Sequence, residues 1–321
     1  MVALGETMGL VAFNDTGPMR VGANGRLSIG GAESNVAIAL ARLGHRTSWI
    51  GRVGSDMLGR LVESTLLGER VDVRGLSREP DLPTGCMLRE HRTYDRFRVD
   101  YYRKGLAGSR LAPDHVPAAL VQSARVVHVT GISPAVSDSA GAAARRAVEL
   151  AHEAGALVSF DVNHRSALWS AEQARPVLQE FVAASDVVFA GPEEAELVTG
   201  LPAGSPDDRD NVAALARALG KLGPREVVVK CGESGATAWL ADTDVAESIP
   251  ARRVTCIDPV GAGDAFVAGY LSALLDGAPV PERLDRGTAC GAFAVSVSGD
   301  WEGAPRRDEL AVVGTGDNVL R

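Results

Sequence analysis

The carboxyl-terminal two thirds of the sequence alternate between short β-branched runs and alanine-rich segments with helical spacing. Val126–Thr130 and Glu226–Lys230 read as buried strands. Segments 137–153 and 208–222 read as helices, and Gly155 stops the first of them. Strands that alternate with helices form a parallel sheet covered by helices on both faces. Such sheets bind ligands at the carboxyl ends of their strands, so the pattern predicts where a site lies.

Two other stretches lack helical spacing and instead alternate polar and apolar residues, as in residues 97–103. Alternation of this kind predicts half-exposed antiparallel strands. Because both stretches leave and re-enter the α/β part, we expect a small sheet that covers a cleft as a lid. The sequence therefore predicts a single domain, 1–321, with a lid formed by roughly 8–30 and 74–105 and an α/β body formed by 1–7, 31–73 and 106–321.

Charge and composition exclude several classes of protein. The 321 residues include 33 Lys and Arg and 41 Asp and Glu, a net charge of −8, which argues against nucleic-acid and anionic-membrane partners. The longest apolar run, 287–299, is too short to span a membrane and reads as a buried helix. The four cysteines form no CxxC pair and no secretory signal is visible, so we expect a cytoplasmic protein without structural zinc.

The segment DPVGAGD at residues 258–264 follows a strand-like apolar stretch and opens an apolar helix over 265–275. Gly261 and Gly263 let the backbone approach a ligand, and the N–H groups at a helix start bind anions. A carboxylate beside a phosphate, here Asp264, can accept a hydroxyl proton during phosphoryl transfer. An ordinary aspartate in the first turn of a helix fits the same spacing, so the pattern alone leaves both readings open.

This segment resembles the carboxyl-terminal signature of the ribokinase/PfkB carbohydrate kinase family. GGAESNVA at residues 30–37 and GRVGSDMLG at 51–59 resemble the amino-terminal signature, in the family's order and across nearly the whole chain. The resemblance implies a ribokinase-like three-layer α/β fold with a mostly parallel central sheet and a small β-sheet lid. It also implies phosphorylation of a sugar by ATP with Mg²⁺, and it allows a monovalent cation as a further cofactor.

The resemblance assigns roles to particular residues. The catalytic group comprises Asp264 as the base and the backbone amides of an anion hole, Gly261, Ala262 and Gly263. The sugar pocket is lined by Gly30, Gly31 and Asn35. The nucleotide side comprises Asn163, Lys230, Gly232, Gly235 and Gly263. The family's Asn-x-x-Glu motif for Mg²⁺ falls on residues 191–194, where Gly191 replaces the Asn and Glu194 remains as an indirect metal contact.

Within the family, the chain resembles the 2-keto-3-deoxygluconate kinases most, through GETM at 5–8, YYRKG at 101–105 and DVNHRSALW at 161–169. The implied reaction gives the 6-phosphate. By this resemblance, Arg103 and Arg165 bind the carboxylate of the sugar acid, and Tyr101 or Tyr102 contacts the sugar from the lid. The expected partners are a small sugar acid, ATP and, through the exposed lid strands, further copies of the chain.

Residues 89–110 carry seven basic and three acidic side chains, a net charge of +4 within a chain of −8. A basic lid suits an anionic substrate, because arginine binds carboxylates bidentately. For Arg92, Arg96 and Arg98 a solvated strand face is the simpler explanation. Two further hypotheses stay open at this point: a fructokinase-like or other sugar kinase, and a non-catalytic regulator that binds a sugar or nucleotide.

Overall fold

The computed structural model describes residues 1–93 and 96–311; residues 94–95 and 312–321 of the predicted lid and body lie outside this range. The strands are β1 (Val2–Leu4), β2 (Met8–Thr16), β3 (Gly25–Gly30), β4 (Thr47–Gly54), β5 (Val71–Glu79), β6 (Cys86–Thr93), β7 (Arg96–Tyr102), β8 (Val126–Thr130), β9 (Leu157–Asp161), β10 (Val187–Ala190), β11 (Glu226–Lys230), β12 (Ala236–Leu240) and β13 (Val245–Ile249). The helices are α1 (Ala32–Arg42), α2 (Met57–Gly68), α3 (Ala118–Gln122), α4 (Ile132–Val136), α5 (Asp138–Ala154), α6 (Ala171–Ala183), α7 (Pro192–Thr199), α8 (Arg209–Gly220), α9 (Ala262–Leu275) and α10 (Val280–Val295).

In the described part of the chain, nine strands form one sheet in the order β13-β12-β11-β10-β9-β8-β1-β4-β5. Its strands run parallel except at one edge, where β12 pairs antiparallel with both β11 and β13. Helices cover both faces, so the molecule has three layers, as the alternating pattern predicts. This mostly parallel sheet with a second, smaller sheet is the arrangement that the resemblance implies.

The buried strands supply side chains to both faces of the large sheet. Along β10, Val188 joins the core under α5 to α8, whereas Phe189 joins the core under α1, α9 and α10. Because successive side chains of a strand point to opposite faces, a strand covered on both sides is apolar throughout. This explains why these strands are continuous β-branched runs in the sequence.

The second sheet has the order β3-β2-β6-β7, with β2 parallel to β6 and the other pairs antiparallel. It is built from the two stretches that lack helical spacing. The lid boundary expected at residue 74 is wrong, however, because β5 continues to Glu79 as the edge strand of the large sheet and pairs with β4 as far as Gly54. An edge strand is half exposed and alternates in the same way as a lid strand, so the sequence does not separate the two.

Near the glycine turn the structure also departs from the expected strand and helix. Residues 250–257 form no regular element, and α9 begins at Ala262, three residues earlier than predicted. The helix starts early because Gly261, with φ of 77°, turns the chain into it. None of the described helices has the length and apolarity needed to cross a lipid bilayer.

Candidate active site

The glycine turn stands at the amino-terminal end of α9. Gly261 adopts a left-handed conformation, and a Cβ placed on it would lie 1.8 Å from the carbonyl oxygen of Asp300. Only glycine fits both the φ angle and this close approach. Buried Asp258 fixes the turn from within, since its Oδ1 accepts the N–H of Val260 at 3.1 Å. Gly261, Gly263 and Asp264 line a pocket at this helix start, which is where an anion site is expected.

Asp264 lies in the first turn of α9 and lines the same pocket. Nδ2 of Asn35, on α1, donates to Asp264 Oδ2 at 2.8 Å. Desolvation raises the pKa of Asp264 to about 6, against the lowering effect of that hydrogen bond. A carboxylate with this pKa is ionised at neutral pH and is still basic enough to accept a proton.

The pocket encloses about 430 Å³ and joins the two ends of the sequence. Most of the predicted site residues line it: Gly30, Gly31, Asn35, Tyr101, Arg103, Asn163, Arg165, Glu194, Lys230, Gly261, Gly263 and Asp264. A concave cavity with a few convergent polar groups is the usual form of a small-molecule site. The sequence signatures at the two ends of the chain thus converge on one cavity.

Among the residues predicted for the anion hole and the nucleotide, Ala262, Gly232 and Gly235 do not line the cavity. Ala262 directs its N–H back to the carbonyl of Pro259, at 3.4 Å. Gly232 and Gly235 flank the short turn between β11 and β12, and a Cβ on Gly235 would lie 1.9 Å from the carbonyl oxygen of Ile249. The close approach of the Ile249 backbone explains why residue 235 is a glycine. None of these three residues contacts the pocket.

The part of the pocket expected to bind the nucleotide centres on an ion pair. Lys230 Nζ donates to Asp161 Oδ2 at 2.6 Å, and it lies 3.6 Å from a Cβ position on Gly263. Burial alone would lower the pKa of Lys230, but the carboxylates of Asp161 and Glu194 give a net upward shift. The ammonium group therefore stays charged beside the turn. Nearby, Asn163 has φ of 41°, a left-handed conformation that asparagine tolerates better than most residues.

Glu194 has a structural role at the start of α7. Its Oε2 accepts the N–H of Gly191 at 2.7 Å, and its Oε1 accepts the N–H of His164 at 2.9 Å. The carboxylate thus caps the helix and ties it to the segment that holds Asn163. Burial raises the pKa of Glu194, and the charge of Asp161 adds to the shift.

On the side of the small sheet, Arg103 is buried and forms an ion pair with the buried carboxylate of Glu6. Tyr101 lines the pocket and is 47% exposed, whereas Tyr102 is 56% exposed and is not among the lining residues. Arg165 is exposed, and its Nη1 donates to the backbone carbonyl of His164 at 3.3 Å. The charge of Arg165 is therefore less neutralised than that of Arg103, which is paired with a carboxylate.

Four of the seven basic side chains of the predicted basic lid form ion pairs in the described part of the chain. Exposed Arg98 pairs with Asp100, and Arg92 pairs with Glu90. Arg89 and Arg103, by contrast, are buried and find their carboxylates in distant parts of the chain. The net +4 of this stretch is therefore not a free positive surface. The reason is that counting charges within one segment ignores partners supplied by other segments.

Sequence reasoning did not assign five charged residues of the pocket: Glu6, Glu33, Arg89, Asp161 and Asp300. Burial raises the pKa of Glu33 to about 7, although Thr130 Oγ1 donates to its Oε1 at 2.7 Å. One signal for Arg89 was present, because it shares the buried face of β6 with Met87 at a spacing of two residues. An arginine on a buried strand face implies a buried carboxylate partner.

Comparison with known proteins agrees with the sequence signatures over nearly the whole chain. Residues 1–307 match the family model described as pfkB family carbohydrate kinase. The 2-dehydro-3-deoxygluconokinase of Bacillus subtilis (strain 168) is 36% identical, over 97% of this chain and 94% of its own length. The enzyme of the same name from Thermoproteus tenax is 38% identical, over 95% and 91%. Fructokinase-1 of Zea mays is 33% identical, over 88% and 86%.

Solved structures show the same fold. A PfkB protein from Polaromonas sp. JS666 has a TM-score of 0.84 and 35% identity, covering 97% of this chain and 98% of its own. A ribokinase II candidate from Escherichia coli, solved in complex with ATP and Mg²⁺, has a TM-score of 0.85 and 25% identity, covering 97% of each chain.

Proposed function

Because this chain belongs to the pfkB family of carbohydrate kinases, we propose that it phosphorylates 2-keto-3-deoxygluconate, also called 2-dehydro-3-deoxygluconate, at its 6-hydroxyl with ATP. The observation that carries the proposal is the placement of Asp264. Its carboxylate is held by Asn35 at the start of α9, beside the turn at Gly261, within a pocket that also holds the cations of Lys230 and Arg165. The two relatives named 2-dehydro-3-deoxygluconokinase, which match 97% and 95% of this chain, support the choice of sugar.

In the proposed reaction, Asp264 takes the proton of the 6-hydroxyl while that oxygen attacks the terminal phosphorus of ATP, and ADP leaves. The N–H groups of Gly261 and Gly263 and the ammonium of Lys230 stabilise the charge on the phosphoryl group in transit. Phosphoryl transfer needs little covalent help from a protein, so this positioning and charge stabilisation account for the rate. The small sheet would act as the lid that excludes water from the transfer.

Magnesium fits the donor atoms on the nucleotide side. Asp161 Oδ1 and Asn163 Oδ1 are buried and have no hydrogen-bond partner among the described residues. Oxygen ligands of this kind suit Mg²⁺, which keeps its other positions for phosphate oxygens and water. Asp161 and Asn163 would hold the ion, and when bound it neutralises phosphate charge. Glu194, whose two oxygens already accept backbone N–H groups, would act indirectly by holding this segment in place.

The sugar acid is recognised, in this proposal, mainly by Arg165. Its guanidinium is exposed at the pocket, whereas the charge of Arg103 is offset by Glu6. A bidentate contact between arginine and a carboxylate is charge-assisted and geometrically specific. Tyr101 would contact the sugar from the small sheet, and Gly30 and Gly31 would leave room for it close to the backbone.

A fructokinase activity is the second candidate. The Glu6–Arg103 pair favours it, because a neutralised arginine does not require an anionic substrate, and a relative named fructokinase is 33% identical. A non-catalytic regulator, the third hypothesis, conflicts with membership of a carbohydrate kinase family and with the complete turn at Gly261, Gly263 and Asp264.

The test is a coupled assay of ADP release with 2-keto-3-deoxygluconate, its galactonate epimer, fructose and ribose. We expect the highest kcat/KM with a 2-keto-3-deoxy sugar acid. The variant Asp264→Asn keeps the size of the side chain and an oxygen for Asn35, and we expect its kcat to fall by about 10²–10⁴. Preference for fructose would replace the proposed substrate, and near-normal turnover in the variant would remove the assignment of the base.

A further inference from the structure

Arg89 is a buried cation that connects the small sheet to the glycine turn. It lies on β6 and is 1% exposed. Its Nη2 is 3.0 Å from Asp258 Oδ2, and its Nη1 donates to Asp300 Oδ1 at 3.0 Å. One guanidinium thus bridges two buried carboxylates that are 42 residues apart in the sequence.

Both carboxylates belong to the segments that shape the turn. Asp258 Oδ1 accepts the N–H of Val260, and its Oδ2 accepts the N–H of Gly299 at 3.0 Å. The carbonyl oxygen of Asp300 occupies the space beside Gly261 where a Cβ would otherwise lie. The conformation of the turn therefore depends on how segments 258–261 and 299–300 are held together.

Arg89 also sets the charge beneath the turn. Two buried carboxylates without a cation would repel each other and would oppose the binding of a phosphate nearby. Burial raises the pKa of Asp300 to about 7, and Arg89 acts in the opposite direction. The side chain further stacks on Phe97 of β7, with 5.6 Å between the guanidinium carbon and the ring centre. Arg89 is thus fixed on the small sheet at one end and on the turn at the other.

We propose that Arg89 is a positioning residue for phosphoryl transfer, which makes the geometry of the glycine turn depend on the docked position of β6. The guanidinium fork holds Asp258 and Asp300 at the spacing that sets the turn, and it balances their charge. The proposal rests on the proposed function, because it takes the turn at Gly261 as the anion site. It adds a role for the small sheet besides covering the pocket.

The experiment compares Arg89→Lys and Arg89→Ala with the control Arg98→Ala. Arg98 lies on the neighbouring strand β7, where its side chain is 63% exposed and pairs with Asp100. We expect kcat to fall about tenfold or more in both Arg89 variants, because lysine offers one point charge in place of the planar fork whose two nitrogens reach the two carboxylates. The KM values for sugar and ATP should stay within about threefold of the wild-type values, and Arg98→Ala should match the wild type. Millimolar guanidinium should restore part of the kcat of Arg89→Ala alone.

Hydrogen exchange gives a readout that does not depend on catalysis. We expect the amides of residues 260–264 to exchange faster in Arg89→Lys than in the wild type or in Arg98→Ala. If Arg89→Ala does not fold, Arg89→Lys decides the question. Wild-type kcat and exchange in Arg89→Lys would overturn the proposal, as would a raised sugar KM at unchanged kcat, which would make Arg89 a sugar ligand. Absence of ADP release by the wild type would refute the proposed function instead, and exchange would still test the role of Arg89.

Discussion

Replacing Gly261 by alanine changes both the conformation and the space of the glycine turn. A left-handed φ such as 77° costs a residue with a Cβ about 1–2 kcal/mol. The new Cβ would also lie 1.8 Å from the carbonyl oxygen of Asp300, so the backbone must move by about 1 Å. Overpacking of this kind costs about 1–3 kcal/mol. We therefore expect Gly261→Ala to lower the free energy of unfolding by about 2–5 kcal/mol, and kcat by about 10²-fold through displaced amides.

Gly277 provides the matched control. It follows the carboxyl-terminal end of the same helix with φ of 80°, and a Cβ there would meet no described atom within 4 Å. Gly277→Ala should lose only the conformational part, about 1–2 kcal/mol, and keep its kcat. Urea unfolding followed by circular dichroism gives the stabilities, and ADP release gives kcat. Equal kcat values for the two variants would refute the argument that the turn at Gly261 binds the phosphoryl group.

Three further predictions concern charge. Because the pKa of Asp264 is raised to about 6 and the base must be ionised, kcat/KM should be level above about pH 7 and fall about tenfold per pH unit below 6; a flat profile from pH 5 to 8 would contradict this. Arg165→Ala should raise the KM for the sugar acid by about 10–100-fold, the value of a charged hydrogen bond, and an equal rise in the KM for ATP would remove the carboxylate role. Burial lowers the pKa of His128 from 6.5 to about 4, so the unfolded chain binds the proton more readily. The contribution of His128 to stability should be full above pH 6.5 and fall by about 2 kcal/mol between pH 7 and 5. The difference in urea-unfolding free energy between the wild type and His128→Gln should change by that amount over this range, and a difference independent of pH would contradict it.

The sequence predicts the elements whose burial is complete. The strand pattern gives the bounds of β8 and β11 to the residue, because nearly every residue of the two strands is buried and valine predominates in both. The helix predicted over 137–153 is observed as Asp138–Ala154, since Ser137 and Gly155 cap its two ends. The lid was predicted to begin at residue 74, within β5, and this boundary is wrong because an edge strand has one exposed side, as a lid strand does. The alternation of polar and apolar residues along a segment indicates how buried the segment is, but it does not indicate which sheet the segment joins.

The site shows the same division. Asp264, Asn35 and Gly261 lie in local sequence motifs that can be recognised, and the structure brings them into one pocket. Arg89 and Asp300 lie in no such motif, because each is placed in the site by its ion pair with the other, 211 residues away in the sequence. The partner of a buried charge is set by the packing of whole segments, which one sequence without its fold does not reveal.

The place of β1 in the middle of the large sheet has a consequence for the order of folding. Val2–Leu4 pairs with β4 on one side and with β8 on the other, so during synthesis β1 waits for residues beyond 125 before both its edges are covered. Asn35 must wait longer, for Asp264, 229 residues later. Contacts of this separation form slowly. A nascent chain that ends before Asp264 would therefore expose Asn35 without the carboxylate that it binds in the folded protein.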